Sequence, residues 1–430
     1  DTIALASGAS QTGFGRTGTV DWQTGSIKTT TFTAANGEGY FADTSSGAIT
    51  MNLPAGTAGN IVSVVDYTNT FQTHALTIAP NGSQKIGGVA APVNLTTEGQ
   101  SITLVYVDDT EGWKNVQDST SNVVGNPFII ATGGTETESG NCKIHTFTGP
   151  GNFVVSAVAS CAANNEVSYT IVAGGGGGGG DYGGGGGAGG FREVKTPLTP
   201  YTASPLDGYS TPANRITVTA TSFPITVGAG GSAAATPPSP SQGGDGNVST
   251  FSSITSAGGG GGGTEAGTTQ RNGRAGGSGG GASYQNPNGT TFGNGNTPPT
   301  TPPQGNNGGQ GSPQPNLVGG GGGGATAVGT TPGSNTVAGP GGAGATTSIT
   351  GSPVARAGGG GGAGGGSPFG QGYTPGTGGT GGGGAGATDS NAAGTAGTVN
   401  TGGGGGAANN INFNSGAGGS GIVIIRYKFQ

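Results

Sequence analysis

Few side chains in this sequence could do chemistry. Its 430 residues include 13 Lys and Arg, 19 Asp and Glu, two cysteines and two histidines. Cys142 and Cys161 lack CxxC spacing, and His74 and His145 are the only imidazoles, so no Cys/His metal site is expected. Asp108, Asp109 and Glu111 form an acidic cluster that could hold calcium, but as a turn leading to Trp113 they read more simply as a solvated loop. GFGRTG, residues 13–18, matches GxGxxG, yet no helix follows to present a phosphate-binding N-terminus. Carboxylates in the second half, such as Asp181, Glu193, Asp207 and Asp245, are scattered, whereas glycan cleavage needs two in one cleft. No enzyme activity and no cofactor is expected. A net charge of -6 with 7% charged residues argues against nucleic acid as a partner, and no apolar run is long enough to span a membrane as a helix. The chain starts at Asp1, as expected of a processed form or one lacking an upstream anchor, with no visible secretory signal.

The elements that would position any site are set by glycine. Of the 104 glycines, 21 lie in residues 1–173 and 83 in the last 257 residues, where GGGGGGG at 174–180 and GGGGGG at 258–263 and 319–324 stand out. Glycine buries no side chain and loses the most backbone freedom on folding, so these runs cannot order alone. Collagen is excluded because the period of three is missing and only 25 prolines are present. A flexible linker would mix serine into the runs, whereas here pure glycine alternates with segments rich in Thr, Pro, Asn and aromatics. The pattern predicts left-handed extended struts with three residues per turn, bonded side by side as a polyglycine II bundle, with connecting loops gathered at the two ends. One strut costs about 1–2 kcal/mol of backbone entropy per residue and recovers about 0.5–1.5 kcal/mol per hydrogen bond, so the bundle must be cooperative and clamped at its base.

Candidate clamps flank the glycine-rich stretch. SYTIVA (168–173) leads into the first run and GIVIIRYKFQ (421–430) closes the chain, and both are β-rich. Pairing them would make 174–420 a closed excursion from a β scaffold. KIHTFT-GPGN-FVVSAV (143–158) reads as a hairpin, with Phe128 to Ala131 nearby. Folded so, it would set Cys142 opposite Cys161, and a disulfide there would contribute roughly 3 kcal/mol; two free buried thiols are the alternative. Upstream, TTTFTA (29–34), GYFAD (39–43), AITMNL (48–53), IVSVVDY (61–67), ALTIA (75–79), QSITLVYVD (100–108) and GWKNVQ (112–117) predict seven strands of a small antiparallel β domain, with no helical period. The expected division is 1–122, a β domain; 123–173, the β scaffold; 174–420, the bundle; and 421–430, the closing strand.

VAGGGGGGGDYGGGGGAGGFRE (172–193), PITVGAGG (224–231) and GGSGIVIIRYKF (418–429) resemble glycine-rich modules of tailed-phage structural proteins, especially from marine phages, and are similar in organisation to the tip adhesins of T-even-like tail fibres. NGSQKIGG (81–88) and QSITLVYVDDTEGW (100–113) resemble small trimeric β modules of phage fibres. The resemblance implies a homotrimeric virion fibre or fibre-tip protein, outside the cell, whose partners are itself, other fibre or tail proteins, and a host-surface glycan or outer-membrane protein. Binding would then fall in the loops between struts, where aromatic faces stack on sugar rings. Tyr284, Phe292, Phe369 and Tyr373 are expected to be the more exposed, followed by Tyr201 and Tyr209, with Arg271 and Arg274 available for anionic sugars. The competing expectation is a purely structural decoration fibre or self-assembling extracellular filament subunit.

Overall fold

The structure is a computed structural model that describes residues 20–120, 128–235, 241–265, 269–284, 292–313, 317–334, 336–365, 373–387, 392–410 and 412–430. It is built of β-sheets, with no α-helix among the described residues. Two compact units divide at Val124 and Gly125.

The first unit contains β1 (Asp21–Trp22), β2 (Phe32–Thr33), β3 (Glu38–Ala42), β4 (Ile49–Asn52), β5 (Ile61–Asp66), β6 (Leu76–Ala79), β7 (Val93–Leu95), β8 (Ser101–Tyr106) and β9 (Trp113–Ser119). All seven predicted runs carry strands; β1 and β7, of two and three residues, are too short to show a period. Strands β1 to β6 alternate between two sheets, β1-β3-β5-β8-β9 and β2-β4-β6-β7. The expected antiparallel domain is therefore corrected to a mixed one, because β1, β3 and β5 run parallel, as do β2, β4 and β6. The reason lies in the turns between β1 and β6: each carries the chain across to the facing sheet, so the next strand of the same sheet arrives one coil later in the same direction, whereas β6-β7 and β8-β9 are antiparallel neighbours within one sheet. Alternate residues of β4, β6 and β8 point inward, and Met51, Leu53, Leu76, Ile78, Leu104 and Trp113 fill the core. The acidic cluster is a turn between β8 and β9: Asp108 accepts from the Thr110 and Glu111 amides, Asp109 from the Tyr106 hydroxyl, and Glu111 pairs with Lys114 at 2.8 Å.

The second unit contains β10 (Ile130–Thr132), β11 (Thr135–Ser139), β12 (Cys142–Phe147), β13 (Gly151–Ala157), β14 (Glu166–Val172), β15 (Phe191–Val194), β16 (Ile216–Thr217), β17 (Ser222–Thr226), β18 (Ser249–Phe251), β19 (Ile254–Ser256), β20 (Ala345–Thr347), β21 (Val354–Arg356) and β22 (Ile422–Lys428). Sheet β11-β12-β22-β14-β15, with β16 on β14, faces sheet β10-β13-β17-β18-β19. Phe147, Phe153, Tyr169, Phe251, Val423, Ile425 and Tyr427 lie in the core between them. On the other face of the first sheet, Ile144, Val172, Phe191, Ile422 and Ile424 pack against Ala345, Ile349 and Ala357. β22 is thus buried on both faces, which explains its unbroken apolar run IVII. It pairs antiparallel with β14 from Ser168↔Arg426 to Val172↔Ile422, so the two β-rich segments do close the glycine-rich stretch.

The 143–158 hairpin does not form. β12 lies between β11 and β22, and β13 between β10 and β17, so the Gly149–Gly151 turn carries the chain from one sheet to the other. Six residue pairs with β22, from Cys142↔Lys428 to Phe147↔Val423, outweigh a local turn preference. The expected disulfide is corrected with it: Cys142 is buried at the start of β12, Cys161 is exposed beyond β13, and both thiols are free. Alkylation of the native protein should therefore label Cys161 alone, with Cys142 reacting only after unfolding. Mass spectrometry showing both thiols protected before reduction would contradict this placement.

The glycine runs are joined laterally by backbone hydrogen bonds that repeat every third residue. In 174–180, the amides of Gly174 and Gly177 donate to Asn247 and Gly244, those of Gly175 and Gly178 to Gly419 and Gly416, and those of Gly176 and Gly179 to Gly187 and Gly184. In 183–190, Gly184 and Gly187 donate to Gly263 and Gly260, Gly185 and Ala188 to Gly320 and Gly323, and Gly186 and Gly189 to Gly405 and Gly402. Carbonyls of the same run accept from Gly176 and Gly179, from Ser278 and Gly281, and from Gly360 and Ala363. Residues 183–190 are therefore bonded to neighbouring segments on six sides. Contact is close enough that a Cβ on Gly186 would lie 2.1 Å from the Gly176 oxygen.

Candidate functional site

The first two glycine runs leave β14 at Val172, turn at Asp181–Tyr182 and return to β15 at Phe191, with Val172 and Phe191 paired. Asp181 and Tyr182 are consequently the point of this excursion furthest along the chain from the sheet. Both adopt the left-handed region, φ 47° and 49°. A tyrosine there stores strain of order 1 kcal/mol, and it is held by contacts from other segments: the Glu265 amide donates to the Asp181 carbonyl at 3.3 Å, and the Ser283 hydroxyl donates to the Tyr182 carbonyl at 3.0 Å.

Around this turn the ends of several glycine runs bring polar groups together. The Tyr284 hydroxyl donates to a Glu265 carboxylate oxygen, and its ring meets Tyr182 edge-on at 5.3 Å. Arg271 donates through Nε to the Glu265 carbonyl. Tyr373 packs beside Gly364 and Gly365 and acts electrostatically on Tyr182. Burial, the Glu265 charge and a hydrogen bond with Glu265 push the Asp181 carboxyl up to about 7. Burial foremost, then the Asp181 and Glu265 charges, push the Tyr182 phenol upward. Two carboxyls and the Tyr182 and Tyr373 phenols, all half-buried and with the buried Tyr284 behind them, can donate and accept hydrogen bonds and offer aromatic groups at one place.

The candidates named from sequence divide. Tyr284, Tyr373 and Arg271 come together here. Tyr284 is 4% exposed, which corrects its expected exposure: its ring packs on Tyr182 and its hydroxyl is tied to Glu265. Phe292 and Tyr373 are half-buried, and Phe369 lies outside the described residues, as does 13–18. Arg274 is on the side of the glycine runs, paired with Asp245 at 2.7 Å. Tyr201 and Tyr209 belong to the scaffold. Tyr201 packs against the apolar face of β22 beneath the Arg426 guanidinium, 5.4 Å from the ring, and Tyr209 stacks on Arg215 at 4.1 Å and donates to Glu166. Glu193 and Asp207 pin that same loop: Glu193 is buried and accepts from the Ser204 amide and the Thr347 hydroxyl, and Asp207 accepts from the Lys195 and Tyr209 amides. Burial raises the Glu193 pKa.

Sequence reading passed over Tyr182 and Glu265 and treated Asp181 as isolated. The available signal was positional: each directly follows, or lies one residue beyond, a glycine run, where side chains first reappear. A separate cleft of about 300 Å³, lined by Phe128, Ile130, Lys143, Tyr427 and Phe429, opens at the edge of the sandwich.

Residues 146–428 match a family described as a glycine-rich domain. No curated protein matches the chain.

Proposed function

The chain belongs to the glycine-rich domain family over residues 146–428, and from that premise we propose that it is a non-enzymatic adhesin of a phage tail fibre or fibre tip. In this reading the glycine segments are polyglycine II struts and their ends present the binding surface. The observation that carries it is the three-residue repeat of lateral hydrogen bonds on six sides of 183–190. That repeat fits a left-handed helix with three residues per turn and no internal bonds. At about 3.1 Å per residue, the seven glycines of 174–180 make a strut of roughly 22 Å, a rigid stalk for the Asp181, Tyr182, Glu265, Tyr284 and Tyr373 cluster. Rigid scaffolds with functional ends are the common arrangement for recognition.

Phenol rings and carboxyl groups suit a hydroxyl-rich ligand, so a host-surface glycan is the ligand class favoured over an outer-membrane protein. In this reading the site binds its ligand without cleaving it. The first unit supplies trimerisation and attachment to other virion proteins, through sheet edges of the kind that readily associate.

Electron microscopy of the source particles with a gold-labelled antibody against residues 200–400 tests this. Gold at free fibre ends is the expected result. Gold along shafts, capsids or free filaments would instead favour the structural reading, a decoration fibre or filament subunit, in which the bundle is a protease-resistant spacer. Exchange of residues 284–303 adds a second discriminant: host adsorption should change at least tenfold for an adhesin and stay constant for a spacer.

A further inference from the structure

The cleft of about 300 Å³ at the edge of the sandwich lies wholly within the second unit and is lined from both of its facing sheets, by Ile130 and Ala131 of β10 on one side and Lys143 of β12 and Tyr427 of β22 on the other. Its floor is core. Ile129, Ala131 and Tyr427 are 2%, 4% and 1% exposed and belong to the hydrophobic cluster between the sheets. Its walls are the half-buried rings of Phe128 and Phe429, and each ring has an ammonium over it: Lys428 Nζ is 5.3 Å from the Phe128 centroid and Lys143 Nζ is 5.6 Å from that of Phe429. We infer that this cleft is a binding site for a small amphipathic anion, a carboxylate with an aryl or short alkyl tail, whose tail extends the core and whose head meets Lys143.

The chemistry of the lining selects this class. Lys143 and Tyr427 carry the only polar side-chain atoms among the lining residues, and the Tyr427 hydroxyl is held by His145 Nε2 at 3.0 Å. The polar side-chain group left to meet a ligand is therefore a cation, set in an apolar surround. Strand register puts it there: Lys143 pairs with Tyr427 across β12 and β22, so both side chains leave the sheet on the same face. The lysine stem runs beside a core tyrosine while its ammonium stays towards water. Its existing partner, Glu136 on the edge strand β11, is 3.5 Å away and 37% exposed. Half-exposed pairs of this kind contribute little, so a ligand carboxylate can take the place of Glu136 at small cost. The volume, at the low end for ligand clefts, admits about a dozen non-hydrogen atoms, which suits one such acid and is too small for an oligosaccharide.

Isothermal titration of the full chain with phenylbutyrate tests the site, with phenylbutanol as the uncharged probe bearing the same tail. The acid should bind one to one and roughly fivefold or more tightly than the alcohol, the difference being the charge-assisted contact with Lys143. Lys143→Gln should abolish that preference by weakening the acid alone. Glu136→Gln, which removes the competing carboxylate, should tighten the acid, and Phe429→Ala should weaken both probes. Absence of saturable binding, equal affinity of the two probes for the unaltered protein, or an acid affinity that neither charge variant changes would overturn the inference. Affinities unaltered by Phe429→Ala would do so as well, by placing the binding elsewhere. Neither probe is a glycan and the cleft is remote in sequence from the Asp181 turn, so this site and the adhesin reading fail separately.

Discussion

Gly186→Ala should lower the melting temperature of the second unit by about 5–10 °C. Gly186 lies in the run bonded on six sides; its amide donates to Gly405 at 2.8 Å and its carbonyl accepts from Gly360 at 2.8 Å. An added Cβ would sit 2.1 Å from the Gly176 oxygen and 2.7 Å from its carbonyl carbon, which are backbone atoms that cannot swing aside. Neighbouring runs must separate, so the overpacking cost of about 1–3 kcal/mol is joined by weakening of two hydrogen bonds at about 0.5–1.5 kcal/mol each. A total near 3 kcal/mol corresponds to several degrees for a unit of this size. Gly333→Ala is the matched control, since a Cβ there meets nothing within 4 Å; its stability should stay within about 0.5 kcal/mol. Scanning calorimetry and limited proteolysis of both variants would measure the difference, and equal melting of the two would refute close lateral packing.

Arg426→Ala should cost about 3–5 kcal/mol of unfolding free energy in denaturant titrations. Arg426 is 2% exposed on β22 and points away from the sandwich core. Its guanidinium donates to the Ile349 carbonyl at 3.0 Å, the Ser139 carbonyl at 3.2 Å and the Pro200 carbonyl at 3.4 Å, and it covers the Tyr201 ring. Three chain segments distant in sequence are therefore tied to the closing strand by one planar fork. Truncation leaves buried carbonyls without donors, at about 1–3 kcal/mol for each that water cannot reach, and leaves a cavity as well. Arg426→Lys should recover less than half of the loss, because a single ammonium cannot span carbonyls set by a five-donor fork. Full recovery with lysine would mean that charge alone holds the base.

Both predictions concern features that sequence reading could reach only in part. The strands of the first unit were legible because alternation and turn residues act between neighbours: IVSVVD, LTIA and SITLVY each announce a strand without reference to partners. Their parallel pairing was not legible, since direction depends on where each turn delivers the chain. The closure of SYTIVA against GIVIIRYKF was readable because two apolar β runs bracket a stretch that cannot fold alone. The GPGN turn misled for the complementary reason: a strong local signal lost to the six-residue pairing of β12 with β22, and the supposed disulfide was lost with it.

The candidate site shows the same boundary. Tyr284, Tyr373 and Arg271 could be singled out as side chains at the ends of glycine runs, but nothing in the sequence brings Asp181 to Glu265 or separates those tyrosines from Tyr201. By itself the sequence determined that this chain is β-rich, that its glycine runs require lateral bonding, and that the chain must return to its starting sheet. Only the tertiary structure decided which run lies beside which, and hence which side chains meet at their ends. A glycine run has no side chains with which to specify a neighbour, so register is imposed from outside, by the strand pairs at the base and the turns at the ends, through hydrogen bonds between residues far apart in the chain.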